Sequence, residues 1–104
     1  MPWLFLTAAG VLEIVWATAM KYSAGFTRPV PTIGMIAGMA ASFWLLAMAM
    51  RSLPLGTAYM VWSGIGAVGS FIVGVAFLAE PATAMRMAAA GLIIAGIVVM
   101  KIAS

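Results

Sequence analysis

Glu13 is one of only two acidic residues in the chain, and it stands eleven residues into an apolar run from Trp3 to Met20. At about 1.5 Å of rise per helical residue, that position falls within a few Å of the middle of a membrane-spanning helix. A central acid costs roughly 2.5–3.5 kcal/mol to insert, so such residues face a cavity or a partner and act on ions or protons. The plainer reading is a neutral carboxyl group that only hydrogen-bonds one helix to another. Function is favoured, because no other charged residue lies within any of the first three apolar runs. A cation and protons that compete for this carboxyl group are coupled without further parts: loading one expels the other.

The chain holds no Cys and no His. Thiol catalysis, disulfides and zinc-thiolate sites are therefore excluded, and so is the commonest general base. No covalent chemistry is expected, so the chain reads as a non-enzyme with no cofactor and no metal. Its ten Met are assigned to adaptable packing.

Helical spacing selects what accompanies Glu13. Ala9, Trp16, Ala17 and Met20 share its face, which brings an indole within one turn of the carboxyl group. Trp16 lies too deep for an interfacial belt, and its ring can wall a flat slot or attract a cation. In the second run Gly34, Gly38 and Ser42 recur every four residues. The glycines suit close packing, while Ser42 brings a hydroxyl to the depth of Glu13, where a hydrogen bond to the carboxylate is slightly favoured. In the third run Tyr59, Trp62 and Gly66 share a face, and Gly64, Gly66 and Gly69 crowd the middle. Close packing is one reading of these glycines; a hinge at Gly64 and Gly66 is the other.

The elements that must position these residues follow from composition. Of 104 residues, 66% are hydrophobic and 7% charged, against about 25% charged in ordinary soluble domains. A bilayer crossing takes about 20 residues, so this chain is an all-α membrane protein with four transmembrane helices in a single domain, 1–104. The helices are expected at about 3–20, 32–50, 57–78 and 85–101, separated by turn-rich segments around Pro29, Pro54 and Pro81. The fourth apolar run, Met87 to Met100, is short for a span unless Arg86 and Lys101 snorkel to the interfaces. Ala17-Thr18-Ala19 superficially resembles a signal-peptidase site, but Glu13 interrupts the run before it, so the first helix is expected to be retained.

The five basic residues are spread along the chain, which fits membrane anchoring and not nucleic acid. Four spans place Arg51 and Lys101 on one side and Lys21, Arg28 and Arg86 on the other. That near balance gives little reason to insert one way. The two halves of the chain show no internal repeat, whereas transporters commonly build a midplane site between inverted halves. Two copies inserted oppositely supply both, so an antiparallel, dual-topology homodimer is expected.

These residues resemble the small multidrug resistance transporters over nearly the whole chain. The resemblance is carried by Glu13, by the segment from Lys21 to Arg28, and by Pro54-Leu55-Gly56-Thr57-Ala58-Tyr59-Met60-Val61-Trp62-Ser63-Gly64. It implies a four-helix subunit, an antiparallel dimer, and proton-coupled export by alternating access, with Glu13 of both subunits shared by substrate and protons. Within that family the chain looks most like the guanidinium exporters, for which Trp16 and Gly56-Thr57-Ala58-Tyr59 are characteristic. The resemblance then implies that Glu13 binds guanidinium, that Trp16, Ser42 and Trp62 order the carboxylates, and that Tyr59 helps gate the site. It also implies a multi-pass protein of the bacterial inner (plasma) membrane. Ser63 and Trp44 are more familiar from the drug exporters of the family, and Met60 replaces a usual alanine, so quaternary ammonium export is the alternative function. Two readings outside the family fit less well. A rotary-ATPase ring subunit has no use for aromatics around the acid, and a non-transporting assembly protein leaves a midplane carboxyl group without a purpose.

Overall fold

Residues 2–103 are described by a computed structural model. They form four helices: α1 (Pro2–Tyr22), α2 (Pro29–Met50), α3 (Leu55–Phe77) and α4 (Ala84–Ile102). Each is long and apolar enough to cross a membrane. The starts lie earlier than the hydrophobic runs suggested, and proline is the reason. Pro29 opens α2 and Pro54 immediately precedes α3, where a fixed φ suits the first turn and a missing N–H costs nothing. α4 is longer than its apolar run because it takes in both Arg86 and Lys101. Its first turn is capped by the Thr83 hydroxyl, which accepts from the Arg86 N–H at 3.2 Å.

Short connections make sequential helices antiparallel neighbours. Accordingly, Thr57 at the start of α3 donates to the Met100 sulfur near the end of α4 at 3.6 Å, and the Lys101 ammonium lies 5.3 Å from the Trp3 ring centroid. Lys21, Arg28, Glu80 and Arg86 thus belong to one end of the molecule, and Arg51 and Lys101 to the other.

α1 packs mainly on α2 and then on α3, while α4 packs on α3. The apolar core gathers Leu6 and Ala9, Leu46 and Ala49, and Ala58, Val61 and Trp62, all at the Arg51/Lys101 end. No described residue of α4 is buried. The chain measures 40 × 34 × 16 Å. One of those extents matches a helix of about 34 Å, and the shortest shows that the subunit is flattened.

Candidate functional site

Glu13 lies on the α1 face that meets α3. Its carboxyl group rests directly on Gly66, and a Cβ built there would stand 2.7 Å from Glu13 Cγ, well inside the 3.5–4.0 Å of a normal carbon contact. One turn along, Gly69 accommodates Ile14 in the same way, and on α2 the Gly38 position lies 3.2 Å from Trp16 Cβ. α1 is therefore set between two helices by glycines under its functional side chains.

Glu13 Oε1 is buried and has no hydrogen-bond partner among the described residues, and the same holds for Trp16 Nε1. An unpaired acceptor and an unpaired donor thus sit one turn apart. Burial of either without a partner costs about 1–3 kcal/mol.

Ser42 is fully buried, but its hydroxyl is not on the carboxyl group. It donates to the Ala9 carbonyl at 2.7 Å and accepts from Trp62 Nε1 at 2.9 Å. The expected Ser42 bond to Glu13 is thus corrected: a helix carbonyl one turn before Glu13 lies closer to the α2 face than the carboxylate, which points to α3. Ser42 ties α1, α2 and α3 together and orients Trp62.

The aromatic residues form a connected series. Phe43 meets Trp16 edge-on at 6.3 Å and Trp62 at 5.7 Å, and Tyr59 lies tilted over Trp62 at 5.6 Å. Tyr59 is half exposed, at the open end of this series. Gly64 and Gly66 lie within an unbroken α3. In this structure Gly64 receives Ile97 and Ile93 of α4, and Gly66 receives Glu13.

Two participants escaped the sequence reading. Phe43 sits about 100° around the helix from Ser42, so spacing alone did not place it with the site. The role of Gly66 as the seat of Glu13 had one available signal, since a glycine in mid-helix costs about 1 kcal/mol relative to alanine and needs a packing reason.

The family profile of the Small Multidrug Resistance protein matches residues 1–93. A guanidinium exporter of Yersinia pseudotuberculosis is 54% identical over 104 residues, covering 100% of both chains. A guanidinium exporter of Salmonella typhimurium is 51% identical over 104 residues, covering 100% of this chain and 99% of its own. One from Escherichia coli K12 is 49% identical over the same length and coverage. The chain belongs to the small multidrug resistance family of membrane transporters.

Proposed function

We infer that the protein exports guanidinium and small substituted guanidines across the bacterial inner membrane in exchange for protons. The observation that carries this reading is the buried, unpaired Glu13 Oε1 seated on Gly66 beside the unpaired Trp16 indole. Guanidinium is planar and offers N–H donors in a fork that matches a carboxylate two-to-two. The indole N–H of Trp16 cannot bond a cation, but it can hold a carboxylate, and a second copy of the chain provides one. The names of the full-length relatives favour the same substrate.

In the mechanism, two antiparallel copies bring their Glu13 side chains to one midplane site. Protons occupy the carboxyl groups when the cation is absent. Guanidinium displaces them from the cytoplasmic side, the dimer exchanges its open faces, and protons from the far side expel the cation. Coupling holds because the same oxygens serve both. Ser42 and Trp62 keep the helices around the site in register, Tyr59 closes its open end, and Gly64 and Gly66 are where α3 flexes during the exchange.

Quaternary ammonium export is the second reading, resting on Trp44, Ser63 and Met60. It is less favoured because Met60 lines a groove between α3 and α4 together with Leu92 and Gly96, away from the Glu13–Gly66 contact, while Trp44 is exposed. Electrical current from proteoliposomes, on adding guanidinium and then a tetraalkylammonium ion across a range of pH, separates the two. Exchange of two protons for one guanidinium gives a pH-dependent current larger with guanidinium, absent in Glu13→Gln, whose amide neither releases a proton nor attracts a cation; one-for-one exchange gives no current and is read by radiolabelled guanidinium uptake. Current with the ammonium ion alone would move the substrate assignment. Proton-driven guanidinium uptake retained by Glu13→Gln would remove the carboxyl group from the mechanism.

A further inference from the structure

The chain has two acidic side chains, and α3 seats both of their carboxyl groups on glycine. Glu13 rests on Gly66; Glu80, in the α3–α4 connection, folds back so that its carboxylate lies against Gly74. Eight residues separate the two glycines, about 12 Å along the helix. The backbone holds Glu80 in this position. Its N–H donates to the Gly74 carbonyl at 3.0 Å, and the turn that brings it there requires Ala79 at φ +55°, a left-handed conformation that non-glycine residues adopt at a cost.

From Glu80 a cleft of about 290 Å³ runs along the α1–α3 groove toward Ala17 and Ala67, with room for several water molecules. Ala17 and Ala67, beside the Glu13–Gly66 contact, lie at one end of its lining, and Lys21 and Glu80 at the other. Along the way it is lined by Thr18 and Ser70. The Thr18 hydroxyl donates to the Ile14 carbonyl at 2.8 Å, which leaves its oxygen free to accept. The opposite half of the same interface is filled by the apolar core around Leu6, Ala9 and Val61. Within one subunit, the cleft that begins one turn from Glu13, at Ala17 and Ala67, therefore opens at the Glu80 end. The basic groups at that end are Lys21 on the same cleft, Arg86 on the neighbouring one and Arg28 in the α1–α2 connection, and among the described residues none forms an ion pair with Glu80.

We propose that Glu80 is an outer station for the transported cation, which pauses at the mouth of the α1–α3 cleft before and after it occupies Glu13. An anionic group in a cleft with low-dielectric walls raises the local cation concentration and speeds association. Lys21 keeps this station weak, so that it passes the cation on. In an antiparallel pair the two mouths lie on opposite membrane faces, one for loading and one for release. This inference rests on the export reading above.

The test compares wild type, Glu80→Gln, Glu80→Asp and Gly74→Ala in proteoliposomes, with guanidinium as the probe. Initial rates are measured at about 10 mM and about 150 mM ionic strength, where the Debye length falls from about 30 Å to about 8 Å. Glu80→Gln should raise the KM for guanidinium roughly three- to tenfold at low ionic strength, with the difference shrinking at high ionic strength. Its maximal rate, and its equilibrium affinity in detergent read by tryptophan fluorescence, should stay within about twofold of wild type, because Glu13 is untouched. Glu80→Asp should restore most of the KM. Gly74→Ala keeps the charge but displaces the carboxylate, and should raise the KM as Glu80→Gln does. Superimposable KM values for wild type and Glu80→Gln at low ionic strength would overturn the station and leave export intact. A wild type inert to guanidinium in the same assay would overturn the export reading on which the station stands.

Discussion

A carboxyl group in the middle of a membrane helix is tolerated only if its surroundings are built for it. Here that building is a missing side chain: Gly66 lets the Glu13 carboxyl group lie on the α3 backbone, with one oxygen buried and unpaired. Gly66→Ala places a methyl group against Glu13 Cγ at a distance no carbon contact permits. The carboxyl group must move, and guanidinium affinity should fall by roughly tenfold or more, about 1.4 kcal/mol. Calorimetric titration of the detergent-solubilised variant checks this, with size-exclusion chromatography confirming intact assembly. Wild-type affinity in Gly66→Ala would show that the seat is dispensable. Glu13 itself was legible in the sequence because charge within an apolar run needs no tertiary knowledge to detect. Its seat was not, because the partner glycine lies on another helix and three glycines compete for the role.

At the scale of the helix, one hydroxyl does what apolar packing in lipid does poorly. Bilayer chains are as apolar as leucine, so small residues and interhelical hydrogen bonds hold membrane helices together. Ser42 on α2 bonds the Ala9 carbonyl of α1 and the Trp62 indole of α3, so one residue joins three elements. Ser42→Ala leaves the buried Trp62 indole N–H unpaired and removes the second bond to the Ala9 carbonyl, which keeps its place in the α1 ladder, and should cost about 1–2 kcal/mol of stability. Equilibrium unfolding in mixed detergent micelles measures it, and an unchanged midpoint would reduce Ser42 to a space filler. The spacing of Ser42 with Gly38 put it on the correct face of its helix, yet the choice between a carbonyl and a carboxylate depends on how α1 is rotated against α2. Similarly, the proline-rich starts of α2 and α3 were visible as breakers but act as first-turn residues, since proline stops a helix before it and starts one after it.

For the whole molecule, the shape is that of an unfinished bundle. α4 contributes no buried residue, and the slab is 16 Å thick. Gly91 and Gly96 have nothing within 4 Å of a built Cβ, and Ala95 between them is exposed. A face of small residues repeating every four or five positions lets a second helix approach closely, and it is the face expected to meet the second copy in the antiparallel dimer proposed above. Gly91→Leu should therefore lower the dimer fraction in dilute detergent by roughly tenfold in dissociation constant, while helicity by circular dichroism is unchanged. Cross-linking or analytical ultracentrifugation reads the outcome, and an undiminished dimer would direct the interface to another surface.

What the sequence determined by itself was everything that depends on the solvent and on local periodicity. A chain this poor in charge must place its backbone in helices and its charges at helix ends, and a lone acid in the first helix must be put to use. What only the tertiary structure decided was the pairing of surfaces: Glu13 on Gly66, Glu80 on Gly74, and Ser42 between a carbonyl and an indole. Lipid gives an apolar side chain no preference between facing it and facing a neighbouring helix, so the hydrophobic pattern carries little information about helix rotation. Rotation is set by where backbones can touch and where polar atoms find each other, and both belong to pairs of helices distant in sequence.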